Sequence, residues 1–263
     1  MRAVLAALEG VTRRFGERLA LDGLSLEVRA GEVFGLLGPN GAGKTTALRI
    51  LCGLLPTHAG RASIAGHDLA TDPLGARRRF GYVPDGAPLY ANLTPREHLE
   101  LVGRLHQLDA PRIASEGARL LAELELGERA DDPVGSFSRG MRQKTAIACA
   151  LLHRPPLLIL DEPLTGLDAP TTQVIKALLR GWADRGGAVL YTSHLLDVVE
   201  RVCDRMAILA GGRLLADGSL EELRARAGQA RSLEEVFQAV TRSEDPAAVA
   251  GRILGPDPIG KGA

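Results

Sequence analysis

Gly38-Pro39-Asn40-Gly41-Ala42-Gly43-Lys44-Thr45 fits the pattern GxxxxGK[ST]. Its glycines let successive backbone N–H groups turn inward around phosphate oxygens, and a helix starting there adds its positive end. Lys44 is placed to reach the β- and γ-phosphates as a point charge, and Thr45 to bind Mg²⁺ through its hydroxyl. A plain turn between strand and helix also favours glycine, but it does not require Lys-Thr at that place. The flanks supply both elements: Glu32 to Leu37 is mostly apolar, and Thr45 to Leu55 carries helical spacing. Strand, loop and helix open an α/β unit.

Upstream, Leu24-Ser25-Leu26-Glu27-Val28 alternates apolar and polar residues, as a half-exposed strand does, and Ala30-Gly31 makes the turn after it. Downstream the pattern turns helical from Thr94 to Leu152. Thr94 is a good N-cap, Pro95 suits the first helical position, and Glu97 completes a capping box. Leu101, Leu105 and Leu108 then form an apolar stripe. A second helix is expected over roughly Pro111 to Leu124, and a third from near Ser138 to a stop before Pro155-Pro156. Leu157 to Leu160 and Ala188 to Thr192 read as buried parallel strands. The coarse architecture is therefore a helical insert between halves of a parallel sheet. Two further capping boxes, Ser219 with Glu222 and Ser232 with Glu235, start C-terminal helices, the second with Leu233, Val236, Phe237 and Val240 on one face. Gly255 to Ala263 has no periodicity and reads as a loose tail.

Leu157-Leu158-Ile159-Leu160-Asp161-Glu162 sets two carboxylates at the end of a buried strand, where parallel sheets bind ligands. Asp161 is the candidate for holding Mg²⁺, directly or through water, and Glu162 the candidate general base for an attacking water. An acidic pair alone is weak, because helix N-termini also favour acids. Beside a phosphate loop it is strong. Among phosphate-loop proteins, GTPases read guanine with NKxD, and none of Lys44, Lys144, Lys176 and Lys261 follows an Asn. Ser136-Phe137-Ser138-Arg139-Gly140-Met141-Arg142-Gln143 stands at a helix start, about twenty residues before Asp161.

Composition bounds the partners. Hydrophobic residues make up 45% and charged residues 24% of the 263, the balance of a globular rather than a disordered chain. Basic and acidic residues are equal at 32 each, which gives no electrostatic footprint for nucleic acid. Cys52, Cys149 and Cys203 lack metal spacing and fit a reducing, cytosolic compartment. The beginning of the chain does not read as a signal peptide, and no apolar run reaches the roughly 20 residues that span a bilayer. Action at a membrane is expected from its side.

These motifs together resemble the nucleotide-binding domain of ATP-binding-cassette (ABC) proteins, over nearly the full length. The resemblance implies an α/β P-loop NTPase fold: a RecA-like core, an N-terminal antiparallel β-subdomain and an inserted α-helical subdomain. It implies a nucleotide-binding domain over 1–222, the helical subdomain at about 87–153, and a C-terminal helical extension with a loose tail over 223–263. ATP and Mg²⁺ are the implied ligands, held by Gly38, Asn40, Gly41, Ala42, Gly43, Lys44, Thr45, Thr46 and Asp161. Phe15 is assigned by resemblance as the aromatic stacked on adenine. Ser138 to Met141 matches the signature that contacts the γ-phosphate bound by a second subunit, through Ser138, Gly140 and the helix dipole. Gly166-Leu167-Asp168 matches the loop coupling two sites, and His194, in Tyr191-Thr192-Ser193-His194, the switch histidine. The other histidines (His58, His67, His98, His106 and His153) form no ligand cluster in the sequence.

Two departures narrow the resemblance. Arg139 and Met141 replace the commoner Gly and Gln of the signature, and Asp85 stands where the family usually has Gln. An ionised carboxylate can accept from a Mg²⁺-bound water but cannot donate as an amide does. These variants resemble ATPase subunits of bacterial ABC-2-type exporters. The implied protein is an ATP-hydrolysing transporter subunit, peripheral on the inner face of the cell membrane. Its implied partners are an integral-membrane permease on a separate chain and a head-to-tail second ATPase, either another copy or a sister subunit. Ala87-Pro88-Leu89-Tyr90, in the link Asp85 to Leu93, is the candidate docking segment, with a packed loop as its alternative. A soluble cassette ATPase acting on DNA or the ribosome is the competing class. Such proteins carry paired cassettes, coiled-coil insertions or basic extensions, which this chain lacks.

Overall fold

The computed structural model describes residues 2–193, 196–228, 230 and 232–241. The chain opens with β1 (Val4–Phe15), β2 (Arg18–Arg29) and β3 (Val33–Leu37), followed by α1 (Lys44–Leu51). Next come β4 (Ala59–Ile64), β5 (His67–Asp68), α2 (Pro73–Arg77) and β6 (Phe80–Val83). A helical stretch holds α3 (Pro95–Leu105), α4 (Ala110–Glu123) and α5 (Arg139–Leu151). The chain returns through β7 (Leu157–Asp161), α6 (Ala169–Asp184), β8 (Ala188–Thr192), α7 (Leu196–Val202), β9 (Arg205–Ala210) and β10 (Arg213–Gly218). It then passes through α8 (Leu220–Arg226) and α9 (Leu233–Thr241).

A four-stranded antiparallel sheet, ordered β2-β1-β4-β5, lies beside a six-stranded sheet ordered β10-β9-β3-β8-β7-β6. In the larger sheet only β10 is antiparallel to its neighbour. Strands β3, β7 and β8 are buried at every position, so they read as apolar runs rather than alternations. Their residues divide between two cores by strand parity. Phe34, Leu36, Leu157, Ile159 and Leu190 pack toward α1 and the antiparallel sheet, whereas Leu37, Leu158, Leu160, Val189 and Tyr191 pack toward the helical stretch. Truncating any of these leucines to Ala removes transfer energy and opens a cavity, a loss of about 2–5 kcal/mol.

Local chemistry sets the element ends. The Thr94 box closes in both directions: its hydroxyl accepts from Glu97 N–H at 3.1 Å, and the Glu97 carboxylate accepts from Thr94 N–H at 2.8 Å. The Ser219–Glu222 box closes likewise, and Ser232 Oγ accepts from Glu235 N–H at 3.2 Å. Helix α4 starts earlier than Pro111 because Asp109, not a later residue, caps it, accepting from Arg112 N–H. Helix α1 ends at Leu51 rather than Leu55, since Gly53 turns left-handed at φ 65° and Leu54 N–H closes back on Arg49 O. The expected tail, Gly255 to Ala263, lies outside the described residues.

One expected packing face is overturned. Leu101 and Leu105 point outward, 38% and 75% exposed, and α3 instead buries Pro95, His98, Leu99 and Gly103. The cause is the close approach of α4: a Cβ on Gly103 would stand 2.5 Å from Ile113 Cγ1, so only the glycine face of α3 lets Ile113 in. His98 is an orienting residue of the interior. Its Nδ1–H donates to Thr94 O at 2.9 Å and its Nε2 accepts from Tyr90 N–H at 3.0 Å, pinning the loop before α3.

Candidate active site

Strand β3 delivers the chain into the glycine loop, and α1 leaves it. Gly43, the residue before α1, has φ 111°, and an added Cβ would stand 2.7 Å from both Ala20 O and Leu21 Cδ2. Gly38 is equally closed, with Leu209 O 2.3 Å from the position of its missing Cβ. These two positions admit only glycine, for conformation at the first and for space at both. No side chain caps the start of α1, which leaves its first amides directed at the cavity beside them.

That cavity has a volume of about 490 Å³ and is lined by Phe15, Arg18, Ala20, Asn40, Gly41, Ala42, Gly43, Lys44, Thr45, Thr46, Asp85, Asp161 and Glu162. Sequence motifs from four separate stretches thus meet at one concavity. Lys44 is buried, and its ammonium donates to Gly38 O at 2.6 Å and Pro39 O at 3.2 Å. Burial lowers the Lys44 pKa, while the nearby Glu162 and Asp161 carboxylates pull it back up. The ammonium is therefore held over the loop by carbonyl dipoles, with the acidic pair supplying its countercharge.

Asp161 and Glu162 stand at the C-terminal end of β7. Asp161 is 4% exposed, and desolvation raises its pKa against the opposing hydrogen bonds of Thr192 and Thr45. Thr192, its parallel partner on β8, donates from Oγ1 to Asp161 Oδ1 at 2.6 Å. Glu162 takes a left-handed backbone, φ 50°, which costs a non-glycine residue about 1–2 kcal/mol. Its amide is held by Thr192, at 3.2 Å from the carbonyl oxygen and 3.0 Å from the hydroxyl, and its carboxylate accepts from Thr165 Oγ1 at 3.2 Å. The strained turn swings the Glu162 carboxylate out of the strand and onto the cavity wall.

The aromatic at the rim, Phe15, is 47% exposed and carries the Arg13 guanidinium 4.9 Å from its ring centroid. Arg18, beside it, donates to Gly41 O at 3.3 Å. Asp85 also lines the cavity, with Arg139 Nη2 3.9 Å from its Oδ1. The remaining candidates lie elsewhere on the same chain. Ser138 caps α5, its Oγ accepting from Met141 N–H at 3.2 Å. Asp168 caps α6, accepting from Thr171 N–H at 2.7 Å. A Cβ on Gly140 would be within 4.0 Å of Ser138 Oγ, Thr171 Oγ1 and Asp168 Oδ2, so these segments form their own cluster, outside the cavity. His194 lies outside the described residues. Arg18, Thr165 and Thr192 are cavity or support residues that the sequence motifs do not single out. Thr192 stands two places before His194, and only strand register reveals it beside Asp161.

A glycine loop feeding a helix, a basic residue over that loop and paired carboxylates at the end of β7, two strands from β3 in the same sheet, define a P-loop nucleotide-binding ATPase. Comparison with known proteins carries this one step further. The ABC transporter family profile matches residues 21–165. The daunorubicin resistance ATP-binding protein DrrA3 of Streptomyces coeruleorubidus is 39% identical over 221 residues, 84% of this chain and 70% of that one. A Nod factor export ATP-binding protein I of Ralstonia nicotianae is 39% identical over 219 residues, 83% of this chain and 68% of that one. Among solved structures, the ATP-binding subunit of an ABC transporter aligns with TM-score 0.85 at 34% identity, over 90% of this chain and 99% of that one. A dimeric ATP-binding cassette in a post-hydrolysis state, bound to ADP and Pi, aligns with TM-score 0.75 at 28% identity, over 82% and 99%. The chain belongs to the ABC transporter family, as one of its ATP-binding and ATP-hydrolysing members.

Proposed function

We propose that this chain is the ATPase subunit of an exporter, in which ATP is bound between two copies of the chain and its hydrolysis moves a separate membrane permease. The observation that carries the reading is the division of the motifs. Lys44, Thr45, Asp85, Asp161 and Glu162 share one cavity, while Ser138, Gly140 and Asp168 cluster outside it. A head-to-tail second copy would bring its own Ser138–Met141 to the open side of the first copy's cavity. The dimeric relative bound to ADP and Pi supports this arrangement.

In that reading adenine stacks on Phe15, and the phosphates lie in the amides of Gly38 to Thr46 under Lys44. Thr45 and Asp161 would hold Mg²⁺. They fit it: both present hard oxygen donors, and the Asp161 carboxyl, disfavoured by burial when ionised, gains from a divalent cation. Bound there, Mg²⁺ would supply positive charge that offsets the charge of the phosphates. Glu162 accepts the proton of the attacking water as its oxygen bonds to the γ-phosphorus, and the bond to the bridging oxygen breaks to leave ADP. Asp85 orients that water, and His194 takes the γ-phosphate role that the family order assigns.

Among the described residues no helix is long and apolar enough to cross a membrane. In this reading the chain works at the inner membrane face through the permease. Tyr90 is 64% exposed and its ring stacks on His98. Pro88, Leu89 and Tyr90 form the proposed permease contact, whereas Ala87, 3% exposed, is packed in the core as the alternative reading of this segment expected. We assign residues 1–222 to the nucleotide-binding domain, 87–153 to its helical insert and 223–263 to an extension. Export is supported by relatives named for drug resistance and Nod factor export. The test is an affinity pull-down of tagged Glu162→Gln protein with ATP from detergent-solubilised native cells. A multispanning membrane protein recovered in near equal amount supports the reading. Ribosomes or DNA complexes in its place would overturn it.

A further inference from the structure

We infer that Thr192 is a positioning residue for hydrolysis, one hydroxyl that sets both carboxylates of the site. The inference rests on the assignment of Asp161 to Mg²⁺ and Glu162 to the attacking water. Thr192 is fully buried and lies opposite Asp161 in the parallel β7–β8 register. Its hydroxyl donates its single proton to Asp161 Oδ1 at 2.6 Å and accepts from the Glu162 amide at 3.0 Å. The result is a relay from the Glu162 N–H through Thr192 Oγ1 to the Asp161 carboxylate.

Each end of the relay has work to do. At Asp161 the hydroxyl occupies Oδ1, and Thr45 is a second side chain that hydrogen-bonds the same carboxylate, so Thr192 helps set the orientation in which Asp161 meets Thr45. At Glu162 it anchors the amide of a left-handed, strained residue, and the direction of the carboxylate follows from that backbone angle. Partners that orient a metal-holding carboxylate change metal affinity or activity about 10- to 100-fold when lost. Thr192→Val keeps the shape of the side chain and removes both interactions. The backbone bond from Glu162 N–H to Thr192 O, 3.2 Å, remains to hold the turn.

Thr192→Val, Thr192→Ser, Asp161→Asn and wild type would be compared in steady-state ATP hydrolysis and in binding of a fluorescent ATP analogue without Mg²⁺. Thr192→Val is expected to lower kcat about 10- to 100-fold and to raise the Mg²⁺ concentration for half-maximal activity about 10-fold. Metal-free analogue binding and the melting temperature should stay near wild type, and Thr192→Ser should restore kcat to within about threefold. A wild-type kcat and Mg²⁺ midpoint in Thr192→Val overturns the inference, as does a Thr192→Ser variant as impaired as Thr192→Val. Should Thr192→Val not fold, Thr192→Ala takes its place under the same criteria. Asp161→Asn separates the two levels. If it leaves the Mg²⁺ dependence unchanged, the site assignment fails; if it abolishes that dependence while Thr192→Val does not change it, only the Thr192 role fails.

Discussion

Glu162 combines a left-handed backbone, an amide held on β8 and a carboxylate on the cavity wall. An amide side chain has nearly the same shape but cannot take a proton from water. Glu162→Gln should therefore lower turnover about 10²- to 10⁴-fold and leave ATP affinity intact, as read by stopped-time hydrolysis and equilibrium dialysis side by side. Lys44→Ala should do the opposite in the binding assay, weakening ATP by about 10²-fold, because it removes a charge-assisted contact from a buried position. Undiminished affinity would contradict the phosphate-loop assignment. Lys44, Thr45, Asp161 and Glu162 were legible in the sequence because their chemistry dictates residue type at fixed spacing. Thr192 and Arg18 were not, since a threonine in a strand and an arginine after a turn have many ordinary uses. Only tertiary register brings Thr192 within 2.6 Å of Asp161.

At the scale of elements, the parallel strands and capped helices follow from apolar runs and from side chains that bond adjacent amides, so Thr94, Ser219 and the β7 and β8 cores were readable. The orientation of α3 was not. A leucine stripe of helical period marks a covered face, and the close fit of Gly103 to Ile113 decided which face that is. Hence Leu101 and Leu105 remain outside. Replacing Leu89 and Tyr90 together by Ser should uncouple cargo movement in vesicles while ATP-driven dimer formation persists; unimpaired transport would exclude that segment as the permease contact. The far end of α3 carries a second joint. His106 and His153 stack with ring centroids 3.6 Å apart, and His153 bonds Phe80 O at 3.0 Å. Burial, His106 and Arg112 push the His153 pKa down to about 4. Because that folded value lies below the ordinary imidazole value, its contribution to stability is complete above about pH 6.5 and is lost as pH falls toward 4. Glu116, held at about 2 chiefly by Arg119, keeps its contribution down to about pH 4.5 and loses it as pH falls from there toward 2. Between pH 6.5 and 4 the melting temperature of wild type should fall more steeply than that of His153→Gln, and parallel curves would refute the assignment.

For the whole molecule, the two sheets and the helical stretch build one half of each proposed reaction centre. The cavity faces one way with its lysine, hydroxyl and carboxylates, while Ser138 and Gly140 stand on a separate cluster of the same chain. The spacing of the motifs gave no sign of this separation, which only the family resemblance implied, because motifs spaced along a chain can meet or stay apart. The account's central claim, that two copies complete the site, is tested by light scattering of purified Glu162→Gln protein during gel filtration. With ATP and Mg²⁺ the mass should rise from the 27.9 kDa of a single chain to twice that value, and return to 27.9 kDa without nucleotide. Full ATP occupancy at an unchanged mass of 27.9 kDa would contradict it.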